Sequence, residues 1–527
     1  MQSNTSPNAS GNITSGANTS FWVESAIQPE FDKLTSDIQT DILIVGGGIA
    51  GLSTAYLLTK AGKQVVLIED GLPGSGETGR TTAHIANALD DRYTDIESMH
   101  GEENAKLAAE SHTAAINAIE QIVREQNIDC GFARLNGYLF LHPTDKEKTL
   151  IDEHEATRKA GIETELLNSV PGINYERGSS LMFPSQAQFH PMKYLFGLIE
   201  YITSHGGTIY TKTHAQEFKK NTVIANGFTI KANHIVVATN TPVNDLFTEH
   251  TKQFPYRTYV IGALLPKEST EQALWWDTGD QESKWITKPY HYARLQKYDD
   301  ENDLLIVGGE DHRTGQADAE DISQDKRYEL LAEWARLRFP AMKEIAYHWS
   351  GQVMEPVDSL AFIGRNPGDK NVYIITGDSG NGMTHGTIGG MLVSDLILDK
   401  KNRWEKLYDP ARISLKATGD FLKEAGNMAA QYADFLKAGD IKSQKELGLN
   451  EGAIMNAGLH KVAVYKNENG VTNAYSAICP HLKCVLQWNA DEKTFDCPCH
   501  GSRFTNEGVV INGPALTNLK KFDIKEE

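Results

Sequence analysis

A glycine-rich loop near the start of the chain constrains the fold of the first half more than any other feature. An apolar run, DILIV, leads into Gly46 and is typical of a strand buried in a parallel sheet. Gly46, Gly48 and Gly51 form a G-x-G-x-x-G pattern before a helix-forming segment, and a second apolar run ends at Glu69. Such glycines permit a tight turn, close approach to a pyrophosphate and close helix–strand packing. The pattern predicts a Rossmann-type domain that binds a dinucleotide, with the Glu69 carboxylate on the ribose hydroxyls.

The length and charge of the chain narrow its architecture and partners. At 527 residues it is too long for one hydrophobic core, so two or three domains are expected. The net charge of −19 disfavours nucleic acids and anionic membranes as partners, because both attract clustered Lys and Arg. A solvated acidic surface explains this charge most simply, and a cationic substrate or basic protein partner is the alternative. No run of about 18 apolar residues occurs, so we expect no transmembrane helix.

The first twenty residues are rich in Ser, Asn and Thr. Such a segment buries too little apolar surface to fold, so residues 1–20 are expected to be a disordered tail. The segment has neither the basic nor the apolar region of a signal peptide. We therefore expect a cytoplasmic protein.

Cysteine is concentrated in one short segment of the chain. Four of the five cysteines lie within residues 479–499, and the fifth, Cys130, is expected in a core. A C-x-H pair followed by a C-x-x-H pair indicates a metal site rather than a disulfide framework. Zinc and a [2Fe–2S] cluster both accept two Cys and two His ligands, and the paired loops C-P-H-x-x-C and C-P-C-H-G-S favour iron–sulfur. The candidate ligands are Cys479, His481, Cys497 and His500.

These two loops resemble those of the Rieske family. The resemblance implies that the two cysteines hold one iron and the two histidines hold the other. In the Rieske proteins of respiratory complexes two further cysteines join the loops, which implies a disulfide between Cys484 and Cys499 here. Residues 513–515, Gly-Pro-Ala, resemble the loop that covers such clusters. Ser502 is kept, but Phe504 replaces a Tyr that bonds a ligand sulfur in those proteins, so a lower potential is expected.

Two further segments resemble the D-amino-acid oxidase and glycine oxidase family of FAD enzymes. Residues 74–86 form a Gly/Thr-rich loop before a helix, and residues 371–398 form a strand, a glycine-rich turn and a helix. The resemblance implies that both segments contact FAD, with a helix N-terminus near Met383 stabilising the reduced flavin. An ordinary helix N-cap at Thr78 or Thr81 is the alternative for the first segment. The implied FAD contacts are Gly46, Gly48, Ile49, Ala50, Gly51, Glu69, Asp70, Thr78, Gly79, Arg80, Thr81, Thr82, Ala83, Gly377, Asp378, Gly380, Gly382, Met383 and Thr384.

A third glycine-containing segment does not complete a nucleotide site. Residues 304–315, LLIVGGEDHRTG, lack the third glycine and the following helix, so they are interpreted as a strand and a turn. We therefore expect FAD to be reduced by an organic substrate rather than by a nicotinamide. Covalent attachment of the flavin through His84 is not expected, because its spacing differs from that of relatives with such a bond.

The substrate side is expected in two stretches, residues 121–180 and 246–345. Alternation along a strand places Tyr290, Tyr292 and Arg294 on one face. An Arg beside the flavin suits a substrate carboxylate, and aromatic faces suit an ammonium group. Ordinary sheet packing and an ion pair are the alternative explanations. The candidate catalytic residues are Tyr259, Tyr292, Arg294 and His385.

The sequence thus predicts an α/β Rossmann-type FAD-binding domain with an α+β substrate domain, followed by an all-β Rieske domain. The expected boundaries are 21–410 for the FAD-dependent oxidoreductase, 411–447 for a helical linker and 448–527 for the Rieske domain.

The expected function is that of a dehydrogenase. It would oxidise a C–N bond of a small amine or amino acid at FAD and pass electrons singly through the [2Fe–2S] cluster to an unidentified acceptor. Two alternatives remain open. The cluster could feed a flavin reductase or monooxygenase, or the chain could be a redox-sensing or electron-transfer module without turnover.

Overall fold

The computed structural model describes residues 16–527 apart from 177, 245–251, 285–287, 317–321, 415, 417–425, 429, 436 and 525–527. Within these residues, none of the helices has both the length and the apolar character needed to cross a membrane. The helices are α1 Phe21–Glu24, α2 Ile49–Lys60, α3 Tyr93–His100, α4 Glu102–Glu125, α5 Glu147–Lys159, α6 Pro191–Ser204, α7 Gln324–Arg338, α8 Gly382–Ile397 and α9 Glu405–Tyr408.

The strands are β1 Ile38–Val45, β2 Val65–Ile68, β3 His84–Ile85, β4 Ala133–Phe140, β5 Glu165–Leu167, β6 Ser180–Gln188, β7 Thr208–Tyr210, β8 Ala215–Lys219, β9 Thr222–Ala225, β10 Phe228–Val237, β11 Gln253–Pro266 and β12 Leu274–Asp277. They continue with β13 His291–Lys297, β14 Asn302–Arg313, β15 Ile345–Pro356, β16 Phe362–Arg365, β17 Val372–Thr376, β18 Glu451–Ala457, β19 His460–Lys466, β20 Thr472–Ser476, β21 Gln487–Asn489, β22 Thr494–Asp496, β23 Arg503–Thr505 and β24 Val510–Asn512.

The first sheet is the one that the glycine-rich loop predicts. Its strand order is β16-β17-β10-β1-β2-β7, and β1 pairs in parallel with both β2 and β10. Ile42, Leu43 and Ile44 of β1 are fully buried, as expected of a strand covered on both faces. Helices α2 and α8 pack against each other beside this sheet. The Rossmann-type α/β fold is therefore confirmed.

The second sheet lies beside the first and carries the opposite wall of the cavity described below. Its order is β15-β11-β14-β13-β12-β4-β6-β3, and α7 packs on β11 and β14. Both stretches that the sequence assigns to the substrate side contribute strands to it. Residues 304–313 lie in β14 and a turn follows, as interpreted from the sequence.

The C-terminal region is built from two small antiparallel sheets, β18-β19-β20 and β21-β22-β23-β24. The all-β fold predicted for it is confirmed. Before it, residues 432–435 and 444–446 form single 3-10 turns within the stretch predicted as a helical linker. The boundaries of the domains remain predictions.

The predicted disordered tail needs a correction at its end. Residues 1–15 lie outside the described residues, but residues 16–20 make specific contacts. The Asn18 side chain donates to Asp491 at 2.8 Å, and Ser20 caps α1. The sequence did not reveal the Asn18 contact, because its partner lies 473 positions away.

Candidate functional site

The nucleotide loop joins β1 to α2 with the geometry that its glycines predict. Gly46 has a φ of 111°, and a Cβ there would collide with the carbonyl oxygen of Ala238. A Cβ on Gly51 would overlap the carbonyl oxygen of Gly46, which explains the close packing of the helix on the turn. The Ile49 N–H, in the first turn of α2, donates to Thr78 Oγ1 at 3.1 Å. The loop is thus held against the second predicted FAD segment.

Glu69 fixes the same loop from the end of β2. Its Oε2 accepts a hydrogen bond from the Gly47 N–H at 2.6 Å, and its Oε1 accepts one from Gly71 at 2.9 Å. Burial raises the pKa of this carboxyl group to about 7. Asp70 lies 3.1 Å from His214 Nδ1, and His214 Nε2 lies 2.8 Å from the carbonyl oxygen of Leu516 in the C-terminal region.

One large cavity runs along this loop, and most of the predicted FAD contacts line it. Those that do are Gly46, Gly48, Ile49, Ala50, Glu69, Asp70, Thr78, Arg80, Thr81, Thr82, Gly377, Asp378, Gly380, Gly382 and Met383. Gly51, Gly79, Ala83 and Thr384 do not line it. Gly79 packs closely against Gly74, and the hydroxyl of Thr384 lies 2.8 Å from His112 Nδ1. The cavity, the backbone turn and the helix N-terminus together fit a dinucleotide, and the residue assignments remain predictions.

Arg80 lies in the wall of the cavity and is held by the C-terminal region. Its Nη1 forms an ion pair with Glu492 Oε1 at 2.8 Å, and both side chains are almost fully buried. The same nitrogen donates to the carbonyl oxygen of Ser350 at 2.8 Å, and Nη2 donates to that of Asn18 at 2.7 Å. The sequence missed Glu492, because an acid on a loop between two short strands carries no local signal.

Two of the four candidate catalytic residues line the cavity. Tyr292 contacts the hydroxyl of Thr258 at 2.8 Å, and His385 Nδ1 lies 2.8 Å from the carbonyl oxygen of Asp378. His385 also packs against His112, with 3.2 Å between their Nε2 atoms. Burial lowers the pKa of His385 to about 4, so this ring is neutral near pH 7.

The other two candidates, Tyr259 and Arg294, do not line the cavity, and their roles remain predictions. Both are fully buried. Tyr259 lies 3.0 Å from His312 Nε2 in the core under α7. Arg294 donates to the carbonyl oxygens of Ala83 at 2.8 Å and Phe189 at 3.1 Å. Its guanidinium therefore supports the backbone beside the cavity.

The end of the cavity formed by the second sheet is acidic and aromatic. It leads into a second chamber, and the residues that line both are Ala88, Asp90, Trp276, Tyr290, Asp311 and Glu355. Of these, Tyr290 is the residue that strand alternation predicts on the substrate side. The three acids come from a loop after β3 and from strands β14 and β15. Their separation in sequence hid the cluster.

The two predicted metal loops meet in the C-terminal region. Cys479 and Cys497 are buried, and a hydrogen bond between them lowers the pKa of Cys479 and raises that of Cys497. The rings of His481 and His500 lie 4.9 Å apart. Two adjacent buried thiols beside two adjacent imidazoles fit the ligand set of a Rieske cluster.

The remaining features of these loops agree with the resemblance. Cys484 and Cys499 are joined by a disulfide. Cys484, Cys497 and Cys499 also form a close group of three sulfurs, but the disulfide leaves only the Cys497 thiol of this group for a metal. Ser502 Oγ accepts a hydrogen bond from the Ala515 N–H at 3.0 Å, which ties the covering loop to the cluster loop. Phe504 is buried in the core below.

The cluster loops also contact the first region directly. Gln352 lines the large cavity, and its Nε2 donates to the carbonyl oxygen of Gly501, next to His500, at 3.1 Å. Asn512 Nδ2 donates to Glu77 Oε1 at 3.3 Å. Residues 510–513, 515 and 516 themselves line the cavity. The C-terminal region thus forms one wall of the predicted FAD site.

Comparison with known proteins agrees with this architecture. The model of the FAD dependent oxidoreductase family matches residues 41–396, and that of the Rieske [2Fe-2S] domain matches residues 438–523. A Rieske 2Fe-2S iron-sulfur protein of Bacillus subtilis (strain 168) is 32% identical over 516 residues, which cover 96% of this chain and 97% of that protein. The gamma-glutamylputrescine oxidoreductase of Escherichia coli (strain K12) is 26% identical over 399 residues, covering 71% and 87%.

Solved structures show the same fold at lower identity. Glycine oxidase from Geobacillus kaustophilus superposes with a TM-score of 0.57 at 17% identity, covering 71% of this chain and 99% of that one. L-proline dehydrogenase from P. horikoshii gives a TM-score of 0.55 at 20% identity, covering 72% and 98%. At this level of identity the likeness shows the fold alone.

Proposed function

Because the chain belongs to the FAD dependent oxidoreductase family and ends in a Rieske [2Fe-2S] domain, we propose that it is a dehydrogenase for C–N bonds. The first domain binds FAD and the second binds a [2Fe–2S] cluster. The proposed substrate is a small amine or amino acid, and the proposed acceptor is an external one-electron carrier.

The proposed reaction balances in electrons and protons. The substrate loses a hydride from carbon and a proton from nitrogen and becomes an imine. Water hydrolyses the imine to a carbonyl compound and ammonia, or to an amine where the nitrogen carries a second carbon. FAD, when bound, would supply an acceptor for the hydride, the cluster would supply one-electron transfer, and the protons would be released to water.

The observation that carries this proposal is the shared cavity. The nucleotide loop lines one wall, and residues 510–513, 515 and 516 of the Rieske domain line another. Gln352 further connects this cavity with the backbone beside the predicted ligand His500. The domain that would hold the cluster therefore borders the cavity in which FAD would lie.

The helix α8 supports the same proposal from the other side. Gly382 and Met383 lie in its first turn and line the cavity. The N–H groups at a helix N-terminus favour negative charge. This end would favour negative charge on a flavin bound in the cavity. His385, in the same part of the helix, is neutral near pH 7 and adds no positive charge of its own.

The relatives support C–N chemistry. The E. coli relative is named as an oxidoreductase of gamma-glutamylputrescine, and two structural neighbours are named as a glycine oxidase and an L-proline dehydrogenase.

The test separates substrate oxidation from electron export. Candidate amines and amino acids are added without oxygen, flavin absorbance is followed, and the reduced cluster is detected by electron paramagnetic resonance. In the wild type both centres should become reduced. In His500→Ala the flavin should still bleach, while turnover with a one-electron acceptor should be lost.

The control is His460→Ala, an exposed histidine of the same domain. It should keep both reactions. If flavin bleaching disappears in a folded, FAD-loaded His500→Ala protein, electrons enter through the cluster and the proposed direction is wrong.

A further inference from the structure

The substrate end of the cavity contains carboxylates whose charges are poorly matched by the protein. Oδ1 of Asp311 is buried and accepts no hydrogen bond from a described residue. Asp90 accepts one from the hydroxyl of Tyr290 at 3.0 Å, and the single hydroxyl of Ser379 lies between the carboxyl groups of Asp91 and Glu355, at 2.5 Å and 3.0 Å. Burial raises the pKa of Asp311 to about 6 and that of Asp90 to about 7. The site is therefore short of positive charge.

The cationic side chains in the walls of the two chambers are engaged elsewhere. Arg80 is paired with Glu492. Arg92 donates to the carbonyl oxygen of Thr278 at 2.7 Å, and Lys288 donates to Gln281 at 3.0 Å. Among the lining residues that the structure describes, none of these three cations bonds to one of the three acids.

Two cationic side chains behind the cavity wall also have hydrogen-bond partners other than the three acids. Arg327 and His291 both lower the pKa of Asp311 through their charge. However, Arg327 donates to the carbonyl oxygen of Glu310 at 2.9 Å, and His291 lies 2.9 Å from Asp277 and 3.0 Å from the Glu310 carboxylate. These two cations partly offset the negative charge of Asp311, but their own hydrogen bonds are made to other groups.

Aromatic rings complete the same end of the cavity. Tyr290 and Tyr292 have ring centroids 5.4 Å apart, and Trp276 lies in the same wall. The faces of such rings attract an ammonium group, most strongly where water is excluded. A cation placed here would therefore lie among aromatic rings and beside the carboxyl group of Asp311.

We propose that this end of the cavity binds the positive charge of an amine substrate that has no carboxylate next to its reacting carbon. The second chamber continues past the three acids, so it also has room for an extended chain with a second ammonium group. This inference rests on the proposed function and narrows its substrate from amines and amino acids to amines.

An α-amino acid fits this site poorly for an electrostatic reason. Its carboxylate would enter a pocket that already holds the Asp311 carboxylate, together with Asp90 and Glu355, whose pKa values burial raises. Enzymes that bind such a carboxylate commonly use an arginine. The candidate for that role, Arg294, does not line the cavity and instead donates to the backbone carbonyls of Thr82, Ala83 and Phe189.

Binding is tested first, with probes that do not react. Butyltrimethylammonium and butanoate have similar chains and opposite charges, and each is titrated into the FAD-loaded full chain while the flavin spectrum is recorded. We expect the cation to perturb the spectrum saturably and the anion to bind at least about tenfold more weakly, as expected for a charge-assisted contact. Tighter binding of butanoate, or no binding of the cation, overturns the inference.

The acids are tested by neutral substitution. Asp311→Asn should weaken binding of butyltrimethylammonium about tenfold or more without a matching loss for butanoate. Asp90→Asn provides a second variant if Asp311→Asn does not fold. The matched control is Asp303→Asn on the same strand, which bonds Gln272 outside the cavity and should leave both affinities unchanged. Equal effects of the Asp311 and control substitutions would overturn the assignment.

Turnover distinguishes this inference from the proposed function. Anaerobic flavin bleaching is compared for 1,4-diaminobutane, 1-aminobutane and 2-aminobutanoate. Faster bleaching by either amine supports both proposals. Faster bleaching by 2-aminobutanoate keeps the proposed function and overturns the amine inference. Cation binding without bleaching by any C–N compound supports the site but contradicts the proposed function.

Discussion

The two ends of the cavity hold carboxylates in different ways. At the nucleotide end, both oxygens of Glu69 accept hydrogen bonds from backbone N–H groups, that of Gly47 in the nucleotide loop and that of Gly71 just after β2. At the substrate end, Asp311 keeps a buried oxygen without a hydrogen bond from a described residue. The difference separates a carboxylate held by backbone N–H groups from one whose Oδ1 atom has no hydrogen-bond donor among the described residues. It also shows that buried acids along one cavity need not share a role.

The substitution with the largest expected effect disrupts the nucleotide end. Gly48→Val should abolish FAD retention, because Gly48 lines the cavity and a Cβ there already lies 2.9 Å from Thr78 Oγ1. Flavin content per chain is measured after purification. The cluster signal should persist, because the Rieske domain has its own core.

A control for this prediction is Gly426→Val. A Cβ at Gly426 meets no described atom within 4 Å, and its φ is not in the left-handed region. Full FAD occupancy in Gly48→Val would show that the loop assignment is wrong.

The next largest effect concerns the contact between the two domains. Glu492→Ala leaves Arg80 buried without its ion pair, which should lower the free energy of unfolding by about 3–5 kcal/mol. Because Arg80 also lines the cavity, FAD should dissociate more readily. Denaturant unfolding and flavin release measure the two effects.

An exposed ion pair provides the control for this buried one. Lys60 and Glu125 are 2.6 Å apart, but 42% and 36% of their side chains are exposed. Glu125→Ala should therefore cost less than about 1 kcal/mol. Equal costs for the two substitutions would mean that the buried pair does not hold the domains together.

A moderate effect is expected from pH at the substrate end. Burial raises the pKa of Asp90 to about 7 and of Asp311 to about 6, in surroundings that include Asp91, Asp378 and Glu310. As the pH falls through these values, the carboxylates take up protons and lose their attraction for a cation. The dissociation constant of butyltrimethylammonium, measured by the flavin spectrum, should therefore rise below pH 7. The rise should be up to about tenfold per pH unit for each proton taken up.

The quaternary ammonium keeps its charge throughout this range, so the titration reports the protein. A matched titration with Asp311→Asn should show a weaker pH dependence. Binding that strengthens as the pH falls would contradict the role of these acids.

The smallest effect is expected at Tyr259, which lies outside the cavity. Tyr259→Phe removes a buried hydrogen bond with His312 and should cost about 1 kcal/mol of stability. Its kcat/KM for an amine should stay within about twofold of the wild type, since it makes no contact in the transition state. Tyr292→Phe, which alters the wall of the cavity, is the comparison. A larger loss of kcat/KM in Tyr259→Phe than in Tyr292→Phe would indicate that Tyr259 takes part in the reaction.

The role of a residue could be predicted from the sequence where its partners lie close to it in the chain. The Cys479 and Cys497 loops are identified by their own spacing, and their pairing follows from two patterns within a short segment. By contrast, the sequence assigned Arg294 to the cavity from strand alternation. Alternation fixes which residues share a face, but not which partners the opposite sheet brings to that face.

The sequence by itself determined the features that depend on local backbone geometry. A turn that approaches a phosphate needs glycine, and a cluster needs thiols and imidazoles at fixed spacing, so both leave patterns that can be read directly. These patterns gave the Rossmann-type and Rieske folds and their cofactors.

Only the tertiary structure decided which side chains face one another across the cavity. Asp90, Asp311 and Glu355 come from elements separated by up to 265 positions, and Glu492 reaches Arg80 across 412. Such contacts arise because burial is decided by how whole sheets pack, and packing selects partners by shape and charge rather than by sequence distance. The charge of the substrate end and the closure of the FAD site by the Rieske domain are therefore properties of the fold.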